Sequence, residues 1–181
     1  MTTLQTDRLL LRPWRDDDLP AFAALNGDPV VMEFMPRLLS SAESDAFADR
    51  IRRRIEVEGW GLWALDVPGV APFAGYVGLS VPSFDAPFMP CVEIGWRLSR
   101  ACWGRGYATE AARLAVDHGF RALGLEEIVS FTYEGNMRSR AVMQRLGMRH
   151  DAAGDFDHSA LPGHWLQRHV LYRLPRPYGR P

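Results

Sequence analysis

The sequence predicts an α+β fold, a single domain over residues 1–181 whose mixed, mostly antiparallel sheet is flanked by helices. Three observations predict it. Apolar residues recur at helical spacing between residues 19 and 55, give way to strand-like runs between 60 and 98, and alternate helix, strand, helix, strand from 107 onward. A strand, a glycine-bearing turn and a long amphipathic helix follow one another across residues 91–123. No internal repeat, low-complexity stretch or linker divides the chain. The expected element order is βααβββαβαββ, with a core over about 6–174 and a short tail over 175–181.

Residues 8–12, Arg-Leu-Leu-Leu-Arg, read as a strand stopped by Pro13, which lacks a backbone donor. Asp16, Asp17 and Asp18 supply a helix start, and Leu19, Phe22, Ala23 and Leu25 carry the spacing of a short helix that Gly27-Asp28-Pro29 ends. Ser40 and Glu43 have the spacing of a capping box. Behind them Phe47, Ile51 and Ile55 recur every four residues down to Gly59, leaving Arg50, Arg52, Arg53 and Arg54 on a solvated face. Strands over 60–67, 73–81 and 91–98 then form an antiparallel meander, the first two joined at Pro68-Gly69. Ala108, Ala111, Ala112, Ala115, Val116, Gly119, Phe120 and Leu123 mark one stripe of a long helix that Gly124 closes. Residues 127–133 are a β-branched and aromatic strand, 137–146 a helix backed by Gly147, and 148 onward with 165–174 the last strands.

At 181 residues, 47% hydrophobic and 24% charged, the chain can bury a core without disulfides or metal. Its 21 Lys+Arg against 22 Asp+Glu give a formal net charge of -1, so no overall positive field gathers nucleic acid or an anionic membrane. Cys91 and Cys102 lack CxxC or His spacing, which argues against a disulfide framework and a structural zinc. The first eight residues hold no apolar secretion segment and no apolar run approaches spanning length, so a soluble cytoplasmic protein is expected.

The most informative segment is Ser99-Arg-Ala-Cys-Trp-Gly-Arg-Gly-Tyr-Ala-Thr-Glu-Ala111, directly after the strand over 91–98. Amides at a helix start have no intrahelical acceptors and the dipole there favours negative charge. The turn can therefore cradle a phosphate or pyrophosphate, with glycine allowing close approach. No Lys-Ser or Lys-Thr follows as in a P-loop, and two glycines fall short of the dinucleotide fingerprint, which disfavours an NTPase or a dehydrogenase. The competing reading is a tight strand-to-helix connection without a ligand.

This order of elements, Trp103-Gly-Arg-Gly-Tyr-Ala-Thr-Glu-Ala111 and the later Asn136-x-x-Ser139 resemble the GNAT superfamily of N-acetyltransferases, its RimJ/RimL-like branch in particular. The similarity runs from Thr6-Asp-Arg-Leu-Leu-Leu-Arg-Pro13 through Glu93-Ile-Gly-Trp96 to Leu146-Gly-Met148 and His169-Val-Leu-Tyr172. It implies acetyl-CoA as cosubstrate in a cleft where two central strands splay apart. Backbone near Leu98 would pair with the pantetheine arm, and the amides of Trp103, Gly104, Arg105, Gly106, Tyr107, Ala108 and Thr109 would hold the pyrophosphate. The resemblance also implies a homodimer. One departure is Ala101, which with Arg100 beside it falls where many members carry Gln or Arg, three residues before the first turn glycine.

Direct attack of a neutral amine on a thioester needs a proton acceptor and an oxyanion donor but no covalent nucleophile. Cys91 and Cys102 therefore read as small hydrophobes. Glu93 is the candidate base. Strand alternation sets it with Cys91 and Gly95 opposite Val92, Ile94 and Trp96, and apolar neighbours would raise its pKa. The alternative is a solvent-facing strand residue or an ion pair with Arg97. Asn136 and Ser139 share a helix face and are candidates to contact the cofactor, while asparagine also suits the N-cap there. Many members carry a tyrosine acid where this chain has Met143, which donates no proton. The resemblance implies Ser139 as its replacement at the CoA sulfur.

His150, His158, His164 and His169 lie near Asp151, Asp155 and Asp157 without compact metal-ligand spacing, so no metal is expected. Asp157 and His158 are acceptor-side candidates, and Trp14, Trp60, Trp63 and Trp165 either shape that cleft or pack in the fold. Three functions remain in play: acetylation of a protein N-terminal amine, such as that of a ribosomal protein; acetylation of a small amine such as an antibiotic, polyamine or amino acid; and a non-catalytic acyl-CoA-binding regulatory module. The acidic residues at 155 and 157 would suit a cationic small acceptor.

Overall fold

The computed structural model describes residues 2–177, so the end of the expected tail, 178–181, lies outside the described residues. Two short strands, β1 (Leu4–Gln5) and β2 (Leu10–Arg12), precede helix α1 (Leu19–Gly27), which a single 3-10 turn of aspartates introduces. Helix α2 (Ser41–Glu58) has the anticipated capping box: Ser40 Oγ accepts from the Glu43 amide at 3.3 Å and Glu43 Oε2 accepts from the Ser40 amide at 2.8 Å. The meander is β3 (Leu62–Val67), β4 (Ala71–Ser80) and β5 (Glu93–Leu98). After it come α3 (Tyr107–Arg121), β6 (Glu127–Tyr133), α4 (Met137–Arg145), β7 (Arg149–His150), β8 (Phe156–Asp157) and β9 (Arg168–Pro175).

The strands form one mixed sheet in the order β1-β2-β3-β4-β5-β6-β9-β7, with β8 added beside β9. Every pairing is antiparallel except that of β5 with β6. Helices cover both faces. On one, Leu65, Val77, Leu79 and Ile94 pack against the stripe of α3 carrying Ala111, Ala112, Ala115 and Phe120. On the other, α1 and α2 lay Phe22, Leu25, Ala48, Ile51 and Ile55 over Ala64, Phe73 and Tyr76. Each fully buried Leu, Ile or Phe stabilises the sandwich by about 1.5–3 kcal/mol. Arg12, almost fully buried at the end of β2, makes two hydrogen bonds to Asp18 at 2.7 and 2.8 Å, tying the sheet to the start of α1.

The structure differs from the sequence expectation at the edges. The last strand begins at Arg168 rather than 165, because Pro162-Gly163 starts successive turns, His164 N–H to the Leu161 carbonyl and Gln167 N–H to that of His164. Trp165 is thereby left exposed. Strands β1 and β8 are two residues long, too short to show a sequence period.

Candidate active site

The site begins where the sheet opens. Ser99 donates its amide to the Ala74 carbonyl at 2.9 Å, which assigns Arg97, Gly95 and Glu93 by alternation to the ladder with β4 and turns the main-chain groups of Ile94, Trp96 and Leu98 toward β6. There they find little pairing. Strands β5 and β6 share one register pair, Glu93 with Val129, and the Ile94 carbonyl is met by the Ser130 hydroxyl at 2.9 Å, a side chain rather than a ladder amide. Past that point the strands splay. The Leu98 carbonyl accepts the Trp103 indole N–H at 2.8 Å, leaving the Leu98 amide and both main-chain groups of Trp96 facing the gap.

Beside the opening lies a cleft of about 1070 Å³ between the start of α3 and α4. Its floor is the glycine turn, with Gly104 at φ 72° and Gly106 at φ 80°, left-handed conformations that glycine adopts without cost. The first bond of α3 runs from the Glu110 amide to the Gly106 carbonyl. Among the described residues none of the backbone N–H groups over 104–109 donates to a protein atom, so six consecutive amides stand at a positive helix end. The Trp103 amide is not one of them, since it closes a turn onto Arg100 at 3.1 Å. Arg105 contributes its amide alone, its side chain lying outside the cleft lining. Arg8, Arg113, Arg138 and Arg145 surround the cleft, which suits a ligand bearing several phosphates. Arg138 also pairs with Glu33 and lies over Phe34 and Trp103, so the α1–α2 connection roofs the opening.

A second cavity of about 530 Å³ lies on the α2 side of the sheet, and the two share Met35, Trp96, Arg97, Asn136 and Ser139 as walls. Asn136 is the N-cap of α4: its Oδ1 accepts the Ser139 amide at 3.2 Å while its Nδ2 donates to Thr132 Oγ1 at 3.0 Å and Ser139 Oγ at 3.3 Å. The capping and cleft-facing readings of Asn136 thus coexist. Because Ser139 Oγ accepts from Asn136, its own O–H is free to donate into the junction. Met143 is fully buried in the core below.

Glu93 lines this second cavity. It is half-buried by accessible surface, yet enough protein surrounds its carboxyl that burial pushes the pKa up to about 8, against the smaller opposing effect of the Ser80 hydroxyl at 3.5 Å. No ion pair joins it to Arg97, whose guanidinium donates instead to Asn26 Oδ1 at 2.6 Å. A carboxyl poised at this pKa, one cavity away from an anion cradle, has the character of a general base.

Other anticipated residues lie elsewhere. Asp157 and His158 line neither cavity: Asp157 pairs with Arg168, and His158 packs against Phe84. Asp155 is held by His150, so the acidic segment suggested for a cationic acceptor is spent on internal partners. Burial raises the Cys91 thiol to about 11, and Cys102 is buried, so neither is a nucleophile. Among the described residues no group of His, Cys, Asp or Glu could hold a metal. Trp14 and Trp63 pack in the cores, and the tryptophans that line the larger cleft are Trp96 and Trp103. The supposedly solvated arginine face is divided: Arg52 pairs with Asp16, while Arg50 and Arg54 line the second cavity. Residues 47, 50, 51 and 54 share one helix face, a spacing that could have revealed this.

A sheet opened at one parallel strand pair, an amide-lined turn beside the gap and a buried carboxyl in the adjoining cavity suit a group-transfer enzyme whose donor carries phosphate. Residues 8–149 match the family model described as Acetyltransferase (GNAT) domain, and the chain belongs to that family. The Uncharacterized protein YkkB of Bacillus subtilis is 30% identical over 150 residues, covering 82% of this chain and 86% of that one. The FsC-acetyl coenzyme A-N(2)-transacetylase of Aspergillus fumigatus is 34% identical over 161 residues, covering 82% of this chain and 65% of that longer protein. Among solved structures, a GNAT-family acetyltransferase from Bacillus anthracis superposes with a TM-score of 0.80 at 22% identity, over 97% of this chain and 99% of that one. RimL, a ribosomal L7/L12 alpha-N-protein acetyltransferase in complex with coenzyme A, superposes with a TM-score of 0.75 at 17% identity, over 96% and 98%. At these identities the superpositions show the fold.

Proposed function

We propose that the chain moves an acetyl group from acetyl-CoA to a primary amine by direct attack, with Glu93 as proton acceptor and Ser139 as hydrogen-bond donor to the departing sulfur. The observation that carries this reading is the meeting of the two cavities at Asn136 and Ser139, with free turn amides in one and Glu93 in the other. The amides over 104–109 suit the pyrophosphate, and the unpaired main chain of Trp96 with the Leu98 amide suits the pantetheine arm. Glu93 takes a proton from the entering ammonium. The freed nitrogen bonds to the thioester carbon and a β5 amide facing the gap steadies the oxyanion; the carbon–sulfur bond then breaks as the positively charged nitrogen gives up its second proton, which passes to sulfur by way of Ser139 or a water it orients.

Two acceptors fit this chemistry. A protein N-terminal amine has support from the shared fold with RimL and with the ribosomal-protein-S5-alanine acetyltransferase of Vibrio fischeri. A small amine has support from a cavity of the size small ligands occupy. A homodimer in the cytoplasm belongs to the same reading on the family resemblance, checked by sedimentation and fractionation. The principal test is acceptor-dependent release of CoA across a panel of peptides and small amines. Tight acetyl-CoA binding with no release on any acceptor would reject turnover in favour of a regulatory module.

A further inference from the structure

The acceptor cavity has an unusual charge. Arg50 and Arg54 lie one turn apart on α2 and Arg97 follows Glu93 on the same face of β5, so three guanidinium groups line a space that holds one carboxyl. That carboxyl, Glu93, is mainly protonated at neutral pH. Among the described residues no acidic side chain comes within 4.0 Å of any of the three, whereas Arg8, Arg12, Arg52 and Arg138 each have at least one. Neutral groups hold them in place. Arg54 donates to the Val81 carbonyl at 3.2 Å, and Arg50 lies 5.5 Å over the Phe47 ring. Arg97 donates to Asn26 Oδ1 at 2.6 Å, approaches Met35 Sδ at 2.9 Å and lies 5.5 Å over Tyr76. Asn26 is itself fully buried and donates to Ser44, so Arg97 is anchored by α1 and α2 together.

Arg54 and Arg97 are partly buried while Arg50 is exposed at the edge of the cavity, and partly buried cations without a counter-ion are costly unless a ligand supplies one. A purely cationic amine entering here meets three like charges. We propose, building on the acetyltransferase reading above, that the natural acceptor is a small primary amine carrying an anionic group, carboxylate or phosphate. Arg50, Arg54 and Arg97 hold the anion while the amine faces Glu93. Bidentate guanidinium pairing suits either anion. The acceptor enters as a zwitterion, and its ammonium is the proton source that Glu93 relieves.

The test uses the full chain loaded with CoA for binding and with acetyl-CoA for turnover. The probes are 4-aminobutyrate against n-butylamine and phosphoethanolamine against ethanolamine, with putrescine as the dication and a short peptide with a free N-terminus alongside. At least one member that carries an anionic group should bind and turn over on the order of tenfold better than its partner without that group, a difference of about 1.4 kcal/mol. Which pair shows the larger ratio tells carboxylate from phosphate. In the Arg50→Gln/Arg54→Gln variant the ratio should fall toward one, and the Glu93→Gln variant should lose turnover while keeping the binding ratio. Equal or better use of n-butylamine, putrescine or the peptide, or a ratio untouched by the double substitution, overturns the proposal. Acetylation without anion preference sinks this inference and leaves the enzyme reading standing; anion-selective binding without turnover does the reverse.

Discussion

In the proposed donor cleft the unpaired main-chain amides come from one stretch, residues 104–109, with arginines around them, whereas the proposed acceptor cavity is lined by side chains from α2, β4, β5, β6 and α4. The first can be built by a local motif, because a strand end, two left-handed glycines and a helix start already point the amides the right way. The second exists only when the sheet and both helix layers have assembled. This contrast fits a division of labour in which the cosubstrate is common to a family and the acceptor belongs to each member.

Substitutions on either side should separate the two halves, and the largest effect is expected at Glu93. Glu93→Gln should lower kcat by ~10²-fold or more with acetyl-CoA affinity unchanged. In the parent chain the carboxylate form accumulates as pH rises through about 8, so kcat/KM should climb through that range and the variant should lose the climb. The same shift has a stability signature. The native carboxyl keeps its proton up to about 8 while the unfolded chain releases it near the ordinary ~4.3, so the folded state binds the extra proton between those values and stability declines as pH rises across them. Thermal melts from pH 5 to 8 should show the decline in the parent and not in Glu93→Gln. A base on another residue would leave the rate profile unaltered by this change, while the melting profile tests the raised pKa of Glu93 alone.

Next in size is Gly104→Val, on the donor side. A β-branched residue at φ 72° strains the backbone by about 1–3 kcal/mol and fills the open space above the turn, so acetyl-CoA affinity should fall ~10- to 100-fold by calorimetry. Unchanged affinity in a folded variant would remove the turn from the cosubstrate site. Ser139→Ala should lower kcat by about tenfold, the worth of one hydrogen bond to a charged atom, and shift acetyl-CoA affinity much less. An affinity loss equal to the rate loss would make Ser139 a binding contact instead. The smallest effect is expected for Asn136→Ala, which removes the α4 cap and about 1 kcal/mol of stability, read as a lower melting temperature, and which should disturb both halves because the residue walls both.

Much of the donor half was legible from sequence. The glycine turn and the Asn136 and Ser139 pair follow from local spacing and line the larger cleft, and Glu93, whose strand face was also legible, lies in the cavity that Asn136 and Ser139 share with it. The acceptor half was misread. The carboxylates at 155 and 157 looked available, but the fold pairs them with His150 and Arg168, and the arginines of α2 looked solvated although two of them line the same cavity as Glu93. Partner choice among exposed-looking charges depends on which element lies opposite, and sequence spacing reports one element at a time.

By itself, then, the sequence determined what is periodic or conformationally special: helix faces, strand alternation, the Ser40 capping box, and two glycines with left-handed backbone where amides must stay bare. Only the tertiary structure decided that β5 and β6 part after Ile94, that Leu98 lends its carbonyl to Trp103, and that Arg50, Arg54 and Arg97 converge without a counter-ion. The physical reason is range. Backbone preference acts over a few residues, while desolvation and charge pairing are set by whatever chain segment packing delivers to the same few ångströms.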